Sequence, residues 1–182
     1  MGKRNDLGSF VRGAAIAAIY AALTLALAPI SYGAVQVRVS EALTVLPFFM
    51  PHSAVPGLFL GCLLANFLGG AGIWDVIFGS AATLVAAMIT ARCRSRMLSP
   101  LAPVLVNAVV VGAVLYFVYY AGSAVPIWLP MAQVGLGQFV ACYGLGLPLL
   151  GFLEKRFPSW REREPEPERE REGRALKGGG RA

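Results

Sequence analysis

Charge is what this sequence most conspicuously lacks. From Gly13 to Leu153 the charged side chains are Arg38, Glu41, Asp75, Arg92, Arg94 and Arg96, and His52 is the one histidine of the chain. A soluble domain could not cover so long an apolar body with polar surface, which excludes an ordinary globular protein. One histidine supplies neither a metal cluster nor a catalytic triad. There is no P-loop or other glycine-rich nucleotide motif, so the chain cannot by itself energise a process with ATP. Cys62, Cys93 and Cys142 are widely spaced and odd in number, with no metal or disulfide spacing, and read as small packing residues. The polar-apolar alternation of outer-membrane strands is also missing. No run interleaves basic and aromatic residues in the manner of a nucleic-acid surface, so the net charge of +6 reads as basic flanks of membrane segments.

What is present is apolar length. Of 182 residues, 57% are hydrophobic, and the uncharged run from Met97 to Leu153 far exceeds the ~20 residues of one bilayer crossing. The expected architecture is an all-α membrane protein: six transmembrane helices in one domain, residues 1–153, then a charged tail, 154–182. The first helix is placed at Phe10–Ala28, stopped by Pro29. Its basic approach resembles a signal peptide, but the apolar stretch continues to Ile30, which favours an uncleaved span. A linker, Ile30–Val39, carries Tyr32, Gly33 and Gln36. Helix two, Ser40–Phe49, takes Ser40 as N-cap and is short for a crossing. The segment MPHSAVPG reads as a tight turn before helix three, Pro56–Leu68. A glycine-rich loop at Gly69–Gly72 precedes helix four, Trp74–Ala91. Helix five spans Pro100–Tyr120 and helix six Leu129–Phe152. The tail, rich in Glu, Arg, Pro and Gly, cannot bury enough apolar surface to order itself and reads as disordered; Lys155 and Arg156 could instead contact lipid headgroups.

Topology follows from the basic residues. With both termini cytoplasmic, every Lys and Arg except Arg38 falls on the inner side, as the positive-inside rule requires. Six helices satisfy this; five would separate the Arg92–Arg96 loop from the tail.

Polar residues then converge from five segments on the outer half of the membrane: Arg38 and Glu41, Asn66, Asp75, Tyr116 and Gln133. Apolar walls with a few convergent polar groups are the form of a small-molecule pocket, and charges at membrane depth mark a site or a paired contact. Either carboxylate could read the N–H and amino edge of a guanine-like base or meet an ammonium. The structural alternatives are an Arg38–Glu41 ion pair and Asp75 capping helix four. Asn107 and Gln138 sit deeper, equally suited to interhelical bonding or ligand contact. Trp74 and Trp128 fit an interfacial belt or aromatic lids. On helix one, Ala14, Ala18 and Ala22 form a small-residue row suited to close helix approach, within the protein or with another subunit; Gly13, Ala17 and Ala21 form a second row, and Gly57, Gly61 and Ala65 a third, on helix three, expected to pack internally.

The strings LAPISYGAVQVRVSEALTVLPFF, VPGLFLGCLLANFLGGAGIWDVIFGSAATLVAA and VGLGQFVACYGLGLPLL resemble the QueT family, over about residues 10–153. These are substrate-binding S components of energy-coupling factor (ECF) transporters assigned to queuosine precursors. The resemblance implies a six-helix bundle in the bacterial plasma membrane that captures a 7-deazaguanine base outside the cell, without enzymatic turnover or cofactor. It implies partnership with the EcfT transmembrane subunit and two cytoplasmic ATPases, with Ala14, Ala18 and Ala22 as the EcfT-docking face. Another vitamin, such as riboflavin, thiamine or biotin, is the rival ligand; an intramembrane enzyme or scaffold is the rival class.

Overall fold

The computed structural model describes residues 2–31 and 38–162. The linker residues Tyr32, Gly33 and Gln36, and the tail from 163 onward, lie outside the described residues. Among those described, all regular structure is helical. Helix α1 is Gly2–Ala26, followed by a single helical turn, Ala28–Ser31, that accommodates Pro29. Helix α2 is Val39–Phe48, α3 Pro51–Leu68, α4 Asp75–Arg92, α5 Leu101–Tyr120 and α6 Trp128–Arg156. Five of these, all but α2, are long and apolar enough to cross a membrane.

Helix α2 departs most from expectation. Its ten residues wind as a 3-10 helix, which at ~2.0 Å per residue reaches about 20 Å, short of the ~30 Å hydrocarbon core. Every residue from Ser40 to Pro47 is buried, so α2 is a central rod wrapped by the other helices. The helix starts one residue before Ser40, with Arg38 at the N-cap position and no side-chain cap. Ser40 is not a cap, because its hydroxyl pairs with Thr24 Oγ1 at 2.7 Å. The expected turn MPHSAVPG is likewise helical: α3 begins at Pro51, whose missing N–H costs nothing in the first turn.

Helices α1 and α3 touch backbone to backbone. A Cβ added to Gly57 would stand 2.5 Å from the Gly13 carbonyl oxygen, and one on Gly61 2.9 Å from that of Ala17. The row Gly13, Ala17 and Ala21 is therefore consumed by internal packing, while Ala14, Ala18 and Ala22 face outward, exposed. Helices α5 and α6 cross as closely at Gly112, where a Cβ would meet the Met131 Cα at 2.5 Å. Around the outside, Phe10, Phe67, Phe117, Trp128, Leu136 and Phe152 are each at least half exposed, an apolar coat suited to lipid.

Three helices carry wider π-type turns: the start of α4, the end of α5 and Val140–Gly146 within α6. The last leaves Gly146 against the Ala42 carbonyl of α2. Such turns re-phase the side chains on either side of them and recur at functional positions.

The chain beyond α6 doubles back. A short turn, Pro158–Trp160, stacks Trp160 on Phe157 at 4.4 Å between ring centres. Glu162 then enters a cradle at the N-terminus of α3. Its carboxylate accepts from Ser9 Oγ and Arg12 Nη2, both at 2.9 Å, from the Ser53 backbone N–H at 3.0 Å, and from the Ser53 hydroxyl. Its own N–H donates to the Phe49 carbonyl at 3.1 Å. Burial pushes the Glu162 carboxyl upward, but these donors outweigh it and hold the group below its ordinary value. Residues 157–162 thus form a strap joining the end of α6 to α1 and α3.

Candidate ligand-binding site

Glu41, on the first turn of α2, is the centre of the polar interior. Its side chain is 1% exposed. A carboxylate buried to that degree requires donors on both oxygens, and neighbouring helices supply them. Tyr20 of α1 donates its phenol to Oε1 at 2.5 Å, and Asn107 of α5 donates Nδ2 to Oε2 at 3.3 Å. Gln138 of α6 faces the same carboxylate, and the Arg38 charge acts on both Glu41 and Asp75. The Arg38 Nε also donates to the Ser31 carbonyl at 3.4 Å.

Between these groups lies a small cavity lined by Arg38, Glu41, Gly79, Thr83, Asn107, Val111, Val134 and Gln138. Its volume is about 10 Å³, room for roughly one water molecule. Sites for drug-sized ligands run to ~300–1,000 Å³. Admitting a ligand therefore requires the walls to part. A larger groove of about 750 Å³ lies on the outside of α4 and α5, between Trp74, Phe78, Val109, Val114 and Phe117. Its walls are mainly apolar side chains, so it offers little with which to orient a polar solute.

The six residues expected at the site separate into three pairs. Arg38 and Glu41 line the cavity. Asn66 and Asp75 are buried just behind it: Asn66 Nδ2 donates to the Asp75 carbonyl at 3.0 Å and to Cys62 Sγ at 3.4 Å, fixing the first turn of α4. Asp75 makes no capping hydrogen bond to that helix. Tyr116 and Gln133 lie away from the lining. Nine residues separate Tyr116 from Asn107, which turns it to the opposite face of α5, and five residues rotate Gln133 by about 140° from Gln138. Tyr116 packs edge-on against Phe117 instead.

The structure adds Tyr20 and Thr83 to the polar set, and it brings Asn107 and Gln138, for which the sequence left interhelical bonding and ligand contact equally open, to the cavity wall. Thr83 donates its hydroxyl hydrogen to the Gly79 carbonyl at 3.1 Å, and its oxygen lies 3.3 Å from Cys62 Sγ. Cys142 lies against the Glu41 carbonyl and Gln138 Oε1. Tyr20 had a legible signal, a lone phenol in an otherwise aliphatic stretch of α1. Among the described residues, no three His, Cys, Asp or Glu side chains come together to hold a metal.

Long apolar helices closed around a buried, charged and amide-bearing cavity define a multi-pass membrane protein with an internal polar site. The comparisons with known proteins narrow this class. Residues 10–155 match the family model described as QueT transporter, and the chain belongs to that transporter family. It is similar to a protein of Lactococcus lactis subsp. cremoris (strain MG1363) named queuosine precursor transporter QueT, 39% identical over 85 residues. That match covers 46% of this chain and 49% of the relative, so it spans about half of each. No solved structure matches the chain.

Proposed function

We propose that this protein is the substrate-binding S component of an ECF-type importer in the bacterial plasma membrane, taking up a queuosine precursor, a 7-deazaguanine base. The observation that carries the reading is the Glu41 carboxylate, held by Tyr20 and Asn107 at the wall of a cavity that also presents Arg38. A carboxylate accepts two parallel hydrogen bonds, which suits the N1–H and exocyclic amino edge of such a base. The guanidinium of Arg38 suits the ring carbonyl next to that edge. Membership of the QueT family and the name of the Lactococcus relative support the ligand class.

In this reading α2 is the second of six membrane helices, and both ends of residues 1–153 face the cytoplasm. Arg92, Arg94, Arg96 and the strap then share the inner side with the start of α1. Import draws on ATP hydrolysed by two cytoplasmic subunits and relayed by EcfT. The exposed row Ala14, Ala18 and Ala22 is the face offered to EcfT, since its small side chains permit close approach of a second helix.

The test is calorimetric titration of the purified protein with 7-deazaguanine, riboflavin, thiamine and biotin, comparing wild type with Glu41→Ala. Submicromolar binding of the deazaguanine, lost in the variant, supports the reading. Preference for another vitamin retains the transporter and replaces its substrate.

A further inference from the structure

We infer that Asn107 is the specificity-determining residue of this site, its side-chain carbonyl reading the second hydrogen of the exocyclic amino group of the base. This rests on the cavity being the base-binding site. Asn107 is 1% exposed and lines the cavity. Its Nδ2 is committed to Glu41 Oε2, whereas its Oδ1 is buried with no hydrogen-bond partner among the described residues. The reverse orientation of the amide would set an oxygen against the Glu41 carboxylate, two acceptors face to face. The amide is therefore fixed with its carbonyl uncommitted. Ser31, Asn66 and Ser80 also carry unpartnered buried atoms, but none of them lines the cavity. Thr83 Oγ1 and Gln138 Oε1 are acceptors too, but each already has a neighbour, the Gly79 carbonyl and the Cys142 thiol, whereas the Asn107 carbonyl has none among the described residues.

The chemistry of the ligand matches this leftover acceptor. An aminopyrimidinone edge presents N1–H and one amino hydrogen side by side, and a carboxylate takes both. The second amino hydrogen points to the flank, where it needs an acceptor beside the carboxylate. Asn107, itself bonded to Glu41 Oε2, stands there. A site built to hydrogen-bond a particular N–H rejects analogues without it far more strongly than an apolar contact does, because a buried acceptor is left unpaired.

The experiment titrates the full chain in detergent with 7-deazaguanine, N2-methyl-7-deazaguanine and 7-deazahypoxanthine. The methylated base keeps one amino hydrogen for Glu41 and blocks the other; 7-deazahypoxanthine has no amino group. Wild type is expected to prefer 7-deazaguanine over each by about tenfold or more. In Asn107→Ala, with folding verified by its melting curve, the preference over the methylated base is expected to fall to within about twofold. Equal wild-type affinity for 7-deazaguanine and its N2-methyl derivative overturns the assignment without any variant. So does a discrimination ratio that survives in Asn107→Ala while all affinities drop together, which would make Asn107 a support for Glu41 alone. Binding of none of the three bases by folded wild type overturns the base-binding reading itself, and this inference with it.

Discussion

Replacing Glu162 by glutamine tests whether the strap is part of the folded protein. Three donors converge on one carboxylate oxygen, from Ser9, Arg12 and Ser53, and the Ser53 N–H takes the other. A glutamine amide cannot satisfy both sides, since its NH₂ must face either the three-donor cluster or the backbone N–H. A hydrogen bond to a charged partner contributes about 1.5–3 kcal/mol net, and the Arg12 pair adds less because Arg12 is 23% exposed. A loss of about 2 kcal/mol is therefore expected, measured as a lower melting temperature in detergent. The pH dependence follows from the direction of the shift. Glu162 titrates below its ordinary value in the folded protein, so its contribution is complete above about pH 4.5 and fades as the pH falls through the lowered value. The gap between wild type and Glu162→Gln should be constant from pH 8 to about 5 and narrow below that. Trp160, stacked on Phe157, reports the strap locally by fluorescence once Trp74 and Trp128 are replaced by phenylalanine. Equal melting of the two proteins at neutral pH, or a gap that widens in acid, would refute the reasoning.

Other perturbations have equally definite outcomes. Gly57→Ala places a methyl 2.5 Å from a backbone oxygen of α1, and the resulting overpacking should cost about 1–3 kcal/mol, seen as a fall in melting temperature. Tyr20→Phe removes the phenol donor to Glu41 and should weaken base binding by about tenfold, given ~1.5 kcal/mol for a charged hydrogen bond, in a protein that still unfolds cooperatively. Ala18→Trp, on the exposed face of α1, should leave binding of the base within about twofold while abolishing co-purification with EcfT, the partner proposed above. Its buried neighbour Ala17 should instead tolerate no such change, Ala17→Trp being recovered unfolded or aggregated.

The long helices were legible because apolar runs of bilayer length, broken by Pro29, the Gly69–Gly72 loop and charged ends, have few other solutions. Rotation was not. A helix that is apolar on every side gives no periodic sign of which face turns inward, so Asn107 and Gln138 could not be separated from Tyr116 and Gln133 by sequence alone. The π-type turns of α4, α5 and α6 shift the phase further, with no residue pattern that announces them. Arg38 and Glu41 stood out for a different reason: burying charge is costly enough that their presence already implied a purpose. Ser40 misled because its hydroxyl has a better partner in Thr24, sixteen positions away in the chain. Glu162 was indistinguishable within a run of alternating Glu and Arg. Only the cradle formed by Ser9, Arg12 and Ser53 distinguishes it.

That cradle also imposes an order on assembly. Ser53 and the carboxylate that satisfies it are 109 positions apart, a stretch that takes about 5–20 s to synthesise at ~5–20 residues per second. Until that interval has passed, Arg12 and the first turn of α3 lack the carboxylate that satisfies them in the folded protein. The bundle is closed only when the last helix has emerged and its continuation has folded back, so the clasp is a late event in biogenesis. A nascent protein halted before Glu162 would carry all its crossings yet lack the contact that ties its first helix to its last.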